Sequence, residues 1–384
     1  MIELDRVTKT YPGATQPAVE SISLRVPEGE ICVFIGPSGC GKTTLMRLIN
    51  RLIPITSGSI SVNGQNIMDL DPIELRRQIG YVIQQVGLFP HMTVRDNIAT
   101  VPKLLGWTKA KIDERVDELL TLVNLNPKSF RDRYPRQLSG GQAQRIGVAR
   151  AMAANPPIML MDEPFGAIDP INREVLQDEF LNIHAKLRKT VIFVTHDINE
   201  AIKMGQRIVL LNEGRLVQAG LPDELLNRPA NEFVKNFVGT DRVLKRLNLL
   251  KVKDAMMLNP VHCLDDDASE KVLEQMIKHD LAFLIVADRD HKLRGYVNRH
   301  DLRGHKGKAG DVARRLTLTV SPERNLKEAL SQMLSYDLGI LVVVDEVAHI
   351  QGVLNSTTLF KLVGDTYDER GGHWERITAA GRIL

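Results

Sequence analysis

The sequence has few cysteines, few aromatic residues and no long apolar run. Its three cysteines, Cys32, Cys40 and Cys263, are far apart, so they predict neither a disulfide framework nor a metal cluster. A reducing cytosol is the simplest compartment for them. Aromatic residues make up only 5% of the chain, which predicts a core of Ile, Leu, Val and Ala. Because no run of about 18 apolar residues occurs, we expect no membrane-spanning helix, and the first residues lack the layout of a signal peptide.

An excess of charge of one sign is also lacking. Lys and Arg total 50 against 47 Asp and Glu, which gives a net charge of +3. This balance argues against a globally basic nucleic-acid binder, and we expect no nucleic-acid partner. Ordinary amounts of glycine and proline exclude collagen-like or low-complexity architecture. At roughly 100–200 residues per domain, the 384 residues predict two or three domains.

Residues 1–240 alternate short apolar runs with helical patterns. Near-continuous apolar runs are typical of strands buried on both faces, and strands that alternate with helices predict a parallel α/β sheet. One stretch, about 91–150, is helix-rich and shows no such run, so we interpret it as a helical subdomain inserted in the α/β domain. The predicted buried strands lie at 31–36, 158–162, 190–196 and 207–214.

The second part of the chain contains an internal repeat. Residues 254–302 align without a gap to residues 311–359, and identical pairs include Gly295 with Gly352 and Asn298 with Asn355. Each copy predicts a helix, a buried strand, a turn, a second strand and the start of another helix. The boundaries that we expect are 241–250 for a helical connector, 251–307 and 308–363 for the two copies, and 364–384 for a tail.

The clearest chemical motif is a phosphate-binding loop. Residues 36–43 fit the pattern G-x-x-x-x-G-K-[S/T], after a predicted strand and before a predicted helix. Glycines allow backbone N–H groups to point at phosphate oxygens, and the helix N-terminus adds partial positive charge. We expect Lys42 to reach the β- and γ-phosphates of a nucleotide and Thr43 to ligate Mg²⁺, whereas Cys40 acts as a spacer. The expected nucleotide contacts of this segment are Gly36, Pro37, Ser38, Gly39, Cys40, Gly41, Lys42, Thr43 and Thr44.

Two adjacent carboxylates, Asp162 and Glu163, follow the apolar run that predicts a buried strand. Because burying an ion is costly, this pair predicts a function. Asp162 suits Mg²⁺, directly or through water. Glu163 suits the polarisation of a water molecule that attacks the γ-phosphate.

A second anion site is predicted at Leu138-Ser-Gly-Gly-Gln142, which precedes a long helical pattern. Together with the P-loop and the carboxylates, this motif resembles an ATP-binding cassette (ABC) ATPase over residues 1 to about 240. Gln84, the GAID segment at 166–169 and His196 also match positions of that family. The GAID segment departs slightly from the more usual SALD.

The resemblance implies a P-loop NTPase fold and a homodimer that sandwiches two ATP molecules. It implies that Tyr11 stacks on adenine and that Asp169 links the two sites. It further implies that Ser139, Gly140, Gly141 and Gln142 serve ATP held by the opposite subunit. Glu163, His196 and Gln84 would then be catalytic, and Thr43, Gln84 and Asp162 would serve the metal.

The two repeat copies resemble tandem CBS domains, which are small α/β units. An ABC ATPase followed by a CBS pair resembles the ATPase subunit of importers for osmoprotectants such as glycine betaine, choline, carnitine and proline betaine. That resemblance implies separate membrane permease subunits, an extracytoplasmic solute-binding protein and a peripheral position on the cytoplasmic face of the inner membrane. Two alternatives stay open: an importer for an amino acid or polyamine, and a soluble ABC ATPase without a transport role.

The CBS pair would gate transport by sensing ionic strength or by binding an adenine nucleotide. The first copy keeps Asp301, which could hold a ribose, whereas the second has Thr358 at that position. Residues 289–315 carry nine lysines and arginines against three aspartates, a local charge of +6. This segment is interpreted either as a solvated loop or as a cationic face toward an anionic bilayer.

Overall fold

The chain folds into two units. A computed structural model describes residues 1–84, 87–166 and 168–359, and the contacts separate Met1–Thr240 from Asp241–Leu384. The tail predicted at 364–384 lies outside the described residues. None of the helices in the described part of the chain has both the length and the apolar character that crossing a bilayer requires.

The first unit alternates strands and helices, with a 3₁₀ turn at Pro135–Gln137. Its strands are Ile2–Lys9 (β1), Val19–Val26 (β2), Ile31–Ile35 (β3), Ser57–Val62 (β4), Gln65–Asn66 (β5), Ile79–Val82 (β6), Ile158–Asp162 (β7), Thr190–Val194 (β8), Arg207–Asn212 (β9) and Arg215–Gly220 (β10). Its helices are Lys42–Ile49 (α1), Pro72–Arg77 (α2), Val94–Ile98 (α3), Thr100–Leu104 (α4), Lys109–Leu122 (α5), Pro127–Phe130 (α6), Gly140–Met152 (α7), Pro170–Leu187 (α8), Ile198–Met204 (α9), Pro222–Asn227 (α10) and Glu232–Val238 (α11).

The larger sheet of this unit confirms the predicted parallel α/β architecture. Its strand order is β10-β9-β3-β8-β7-β6, in which β6 to β9 and β3 run parallel and β10 is antiparallel at the edge. The four apolar runs of the sequence form β3, β7, β8 and β9. Every residue of β3, β7 and β8 is buried, which explains why those runs are almost free of polar side chains.

The carboxyl ends of the parallel strands gather the candidate residues at one edge of this sheet. Phe34 of β3 and Asp162 of β7 both align with Val194 of β8. The P-loop after β3, the carboxylates at the end of β7 and His196 after β8 are therefore neighbours, and β6 beside β7 leads to Gln84. Ligand sites of open α/β sheets lie at this edge.

A smaller antiparallel sheet, in the order β2-β1-β4-β5, shares one hydrophobic core with the larger sheet. Helix α1, which follows the P-loop, lies in that core. Its buried residues Leu45, Met46, Leu48 and Ile49 occupy one face of the helix. This packing fixes the start of α1, and with it the position of the P-loop.

Helices α3 to α7 occupy the stretch between β6 and β7, and the described residues of that stretch include no strand. Helix α5 buries Ile112, Val116 and Leu119, which recur at a spacing of three or four residues. This periodicity explains why the sequence predicted helices here.

The second unit contains both copies of the repeat, with 3₁₀ turns at Val252–Asp254 and Ala309–Val312. Its strands are Met257–Leu258 (β11), His262–Leu264 (β12), Phe283–Ala287 (β13), Leu293–Asn298 (β14), Thr319–Val320 (β15), Ile340–Val344 (β16) and Ile350–Asn355 (β17). Its helices are Arg242–Leu247 (α12), Ser269–Lys278 (α13), Arg299–Leu302 (α14) and Leu326–Ser335 (α15).

The two copies exchange their leading segments. Met257, which precedes the first copy's sheet, pairs with Val353 in the last strand of the second copy. Arg314, at the equivalent position of the second copy, pairs with Tyr296 in the first. A Cβ atom at Gly295 would clash with the Arg314 carbonyl oxygen, and one at Gly352 would lie 2.6 Å from that of Met257. The matched glycines of the repeat are therefore required by this reciprocal strand contact.

Each copy has its own core, and the connector contributes to one of them. Leu247 of α12 is buried in the cluster of the second copy, together with Leu326 and Met333. Val272 and Met276 of α13 occupy the equivalent place in the first copy. The helix of the predicted connector is thus packed against the second copy.

Candidate functional site

The P-loop requires glycine at two positions for steric reasons. Gly36 has φ 146° and Gly41 has φ 104°. A Cβ atom at Gly36 would clash with the carbonyl oxygen of Leu211, and one at Gly41 would lie 2.5 Å from that of Ala18. Gly39 also has a positive φ, 79°, but a Cβ atom there would meet nothing within 4 Å.

This difference predicts unequal effects of alanine in the loop. Gly39→Ala is expected to cost about 1–2 kcal/mol, because a left-handed backbone is unfavourable for alanine. Gly36→Ala is expected to cost roughly 1–3 kcal/mol more, because its Cβ displaces the backbone of β9. Urea unfolding of both variants measures the difference, and equal unfolding midpoints would contradict the role of the Leu211 contact.

The Lys42 side chain folds back onto the first residues of the P-loop. Its side chain is 7% exposed, and its Nζ donates to the carbonyl oxygens of Gly36 at 2.7 Å and Pro37 at 2.9 Å. The Nζ also lies 3.7 Å from Sγ of Cys40, which is itself buried. The ammonium group is thus held at the start of α1, where backbone N–H groups are unpaired within the helix.

Thr43 and Asp162 present oxygen atoms to the same point. The Thr43 hydroxyl donates to Oδ1 of Asp162 at 3.2 Å, and Asp162 is only 8% exposed. Burial raises the pKa of the Asp162 carboxyl, the Thr43 hydrogen bond acts in the opposite direction, and the Glu163 charge raises it further. Hydroxyl and carboxylate oxygens are the donors that Mg²⁺ prefers, so these residues fit that ion.

Glu163 is held from two sides. Its Oε2 accepts a hydrogen bond from Nε2 of Gln84 at 2.9 Å, and its Oε1 lies 3.2 Å from Nδ1 of His196. Its backbone has φ 44°, and its N–H donates to the carbonyl oxygen of Val194. The strained backbone turns the carboxylate out of the strand direction and toward the edge of the sheet.

Comparisons with known proteins agree with this arrangement. A family model described as ABC transporter matches residues 19–166, and a CBS domain model matches residues 252–307 and 309–365. The Osmoprotectant import ATP-binding protein OsmV of Salmonella typhimurium is 47% identical over 359 residues, which are 92% of this chain and 94% of that protein. This chain belongs to the ATP-binding proteins of ABC transporters. It is therefore an ATPase of a transport system, and it carries a tandem CBS pair.

Further relatives give the same family. The Glycine betaine/carnitine/choline transport ATP-binding protein OpuCA of Bacillus subtilis is 48% identical over 370 residues, 95% of this chain and 97% of that protein. Among solved structures, the dimeric post-hydrolysis state of the ATP-binding cassette MJ0796 bound to ADP and Pi is similar with a TM-score of 0.52 and 36% identity. The match covers 58% of this chain and 99% of the chain in that structure.

The structure brings some predicted site residues of this ABC ATPase together and leaves others apart. Lys42, Thr43, Gln84 and the two carboxylates meet with His196 at the sheet edge. Ser139 and Gln142 instead cap α7 reciprocally: the Gln142 N–H donates to Ser139 Oγ and the Ser139 N–H to Gln142 Oε1. Within the described residues, no hydrogen bond joins this motif to the P-loop.

The remaining predicted contacts are also accessible rather than packed in the site. Tyr11 is 38% exposed, and the Lys9 ammonium lies 5.2 Å from its ring centroid. Asp169 caps the N-terminus of α8 by accepting from the backbone and side-chain N–H groups of Asn172, and these bonds lower the pKa of its carboxyl. A Cβ atom on Gly140 would meet nothing within 4 Å, so the N-terminus of α7 is open.

The sequence did not reveal a buried polar group behind Glu163 and His196. Glu200 of α9 and Gln177 of α8 are 9% and 4% exposed and hydrogen-bonded to each other at 3.0 Å. A signal existed, because Glu200 follows His196 by four residues and lies beside the apolar residues Ala201 and Ile202, but a charge on a short helix is usually at the surface.

In the CBS pair, the Asp301 carboxylate forms an ion pair with another side chain of the protein. Its two carboxylate oxygens accept from Nε and Nη2 of Arg314 at 2.7 and 2.6 Å, and Arg314 lowers the pKa of the Asp301 carboxyl. Other arginines of the segment 289–315 also face carboxylates, such as Arg289 with Asp266. The local charge of +6 therefore overstates the free positive charge, because partners outside the segment neutralise part of it.

Proposed function

We propose that the chain is the ATP-hydrolysing subunit of an importer for osmoprotectant quaternary amines. The Gln84–Glu163–His196 cluster beside the P-loop is the observation that carries the hydrolytic part. The substrate class is supported by relatives that are 44–48% identical over 92–99% of this chain and are named for osmoprotectant, glycine betaine, carnitine or choline transport.

The proposed reaction uses these groups in a simple way. Lys42 and the N–H groups of the P-loop neutralise charge on the transferred phosphoryl group, which is the larger part of phosphoryl-transfer catalysis. Glu163, oriented by Gln84 and His196, polarises the attacking water. Thr43 and Asp162 would hold Mg²⁺, which would neutralise phosphate charge when bound, and Gln84, which is hydrogen-bonded to the neighbouring Glu163, would also contribute to that site.

The second half of each ATP site would come from an opposite copy of the chain. The open N-terminus of α7, with Ser139 as its cap and Gly140 and Gly141 as its first residues, offers unpaired N–H groups to a γ-phosphate. Asp169 would link the two sites, and Tyr11 would stack on adenine. A dimeric solved structure at 36% identity supports this arrangement.

An apolar groove next to Gln84 suits a helix of a permease subunit. Its volume is about 310 Å³, and its lining includes Ile83 and Phe89, which are 37% and 41% exposed, and Val101. Apolar side chains at this level of exposure are favourable positions for helix docking. Since Ile83 directly precedes Gln84, a docked helix would act on the side chain that orients Glu163. The chain would then lie peripherally on the cytoplasmic face of the inner membrane, in an importer that also includes a solute-binding protein.

We infer that the CBS pair regulates transport through the Asp301–Arg314 ion pair. A ribose could reach Asp301 only if Arg314 releases it. Because the Arg314 side chain is 56% exposed, salt also weakens this pair by screening, although Asp301 itself is only 13% exposed. An adenine nucleotide and ionic strength would therefore act on the same two residues.

The experiment that tests the function is uptake by the reconstituted importer. The chain is assembled with its permease subunits in proteoliposomes that contain ATP, and labelled glycine betaine, choline, an amino acid and a polyamine are compared across a salt series. We expect uptake of a quaternary amine that depends on ATP and on salt. Uptake of only the amino acid or polyamine would contradict the substrate class, and ATP hydrolysis without any uptake would contradict the transport role.

A further inference from the structure

A polar cluster lies directly behind the residues proposed to position the attacking water. A small cavity of about 30 Å³ is lined by Glu163 and His196 on one side and by Arg173 and Glu200 on the other. The first two belong to the ends of β7 and β8, and the last two belong to α8 and α9. The cavity therefore marks where two helices meet the catalytic edge of the sheet.

Glu200 holds the backbone that carries His196. Glu200 lines the cavity together with Thr195, which immediately precedes His196. Its carboxylate accepts a hydrogen bond from Nε2 of Gln177 at 3.0 Å. The Thr195 hydroxyl accepts a hydrogen bond from the N–H of Asp197 at 3.1 Å. This bond joins the two residues that flank His196. Burial raises the pKa of Glu200, which shows that keeping a carboxylate here has a cost that a packed apolar residue would avoid.

Arg173 holds the segment that precedes Asp169. Its Nη2 donates to the carbonyl oxygen of Ile168 at 2.9 Å, and its charge acts on Glu200. Its Nε is buried and has no hydrogen-bond partner among the described residues. Arg173 and Gln177 are four residues apart and therefore lie on the same face of α8.

We propose that Arg173, Gln177 and Glu200 are positioning residues that connect the segment around Asp169 to His196. A shift of Asp169, which faces the opposite subunit in the proposed dimer, moves the adjoining Ile168 and with it Arg173 at the N-terminus of α8. Gln177 moves with the same helix and transmits the shift through Glu200 to Thr195. Through this link, arrival of the second subunit sets the position of His196 against Glu163. The inference rests on the proposed ATP-sandwich dimer.

The test is ATPase kinetics of variants in the full-length protein. Glu200→Leu removes the hydrogen bond from Gln177 and the carboxylate beside Thr195. We expect kcat to fall roughly 10–100-fold with the KM for ATP within about twofold and with loss of cooperativity in ATP. Glu200→Gln keeps an acceptor for Gln177 and a partner for Thr195, so it is expected to retain most of the wild-type kcat. Gln177→Leu provides a second disruption if Glu200→Leu does not fold.

A purely structural role would give a different pattern. The variants would then unfold at lower temperature while kcat per folded molecule and cooperativity stayed at wild-type values, and this result would overturn the proposal. Arg173→Met combined with Glu200→Leu gives a further readout: effects on kcat that are less than additive support one connected unit, and additive effects contradict it. Size-exclusion chromatography of Glu163→Gln with ATP and Mg²⁺ tests the proposed dimer separately: a monomer there would refute the dimer, whereas the effect on kcat still tests the link to His196.

Discussion

Glu163→Gln is expected to lower the ATPase rate by roughly 10²–10⁴-fold while ATP binding persists. Glutamine has the size of glutamate and can still accept a hydrogen bond from Gln84, so the shape of the site is kept. It cannot take a proton from water, and its amide offers no negative charge to His196. The variant should therefore bind ATP and stop before hydrolysis, with the two copies held around the bound nucleotide.

Two measurements check this expectation. Calorimetry with ATP should give an affinity close to that of the wild type, and size-exclusion chromatography with ATP and Mg²⁺ should show a dimer that the wild type forms only transiently. Glu174→Gln, the same chemical change at an exposed position of α8, is the matched control and should leave activity within about twofold. Full ATPase activity in Glu163→Gln would refute the role of Glu163 as the group that polarises water.

The sequence predicted the strands of this site well because burial on both faces leaves little choice of residue. All five residues of β3, β7 and β8 are buried, so each strand reads as an apolar run whose end is easy to locate. The P-loop was equally predictable, since close backbone contacts at Gly36 and Gly41 exclude any side chain. The internal repeat also predicted two similar copies, and their matched glycines have a shared steric reason.

Other features depended on contacts that no local pattern encodes. The hydrogen bond from Gln84 to Glu163 joins residues 79 positions apart, and only the order of parallel strands brings them together. The Arg314 partner of Asp301 lies in the leading segment of the other copy, so a motif read within one copy misses it. The link from Ile168 to His196 runs through two helices, and its charged and polar residues Arg173, Gln177 and Glu200 are each of a type that is usually found at the surface.

Lys42→Ala is expected to have the second large effect, this time on binding. An ammonium group that bonds to phosphate oxygens contributes roughly 1.5–3 kcal/mol per charge-assisted hydrogen bond. Since about 1.4 kcal/mol corresponds to a factor of ten in affinity, loss of two such bonds predicts a decrease of at least about 100-fold. The variant also loses the hydrogen bonds from Nζ to the carbonyl oxygens of Gly36 and Pro37, which leaves the P-loop less ordered before ATP binds.

Calorimetry with ATP and Mg²⁺ measures the loss directly, and Lys186→Ala, which removes an exposed lysine of α8, is the control for charge alone. Lys42→Arg should not restore binding, because a planar guanidinium group does not fit where an ammonium is 7% exposed between two carbonyl oxygens. An unchanged affinity in Lys42→Ala would remove the P-loop from the proposed mechanism. Together with Glu163→Gln, this variant separates the two functions of the sheet edge: without Lys42 the chain fails to hold ATP, whereas without the Glu163 carboxylate it holds ATP and fails to hydrolyse it.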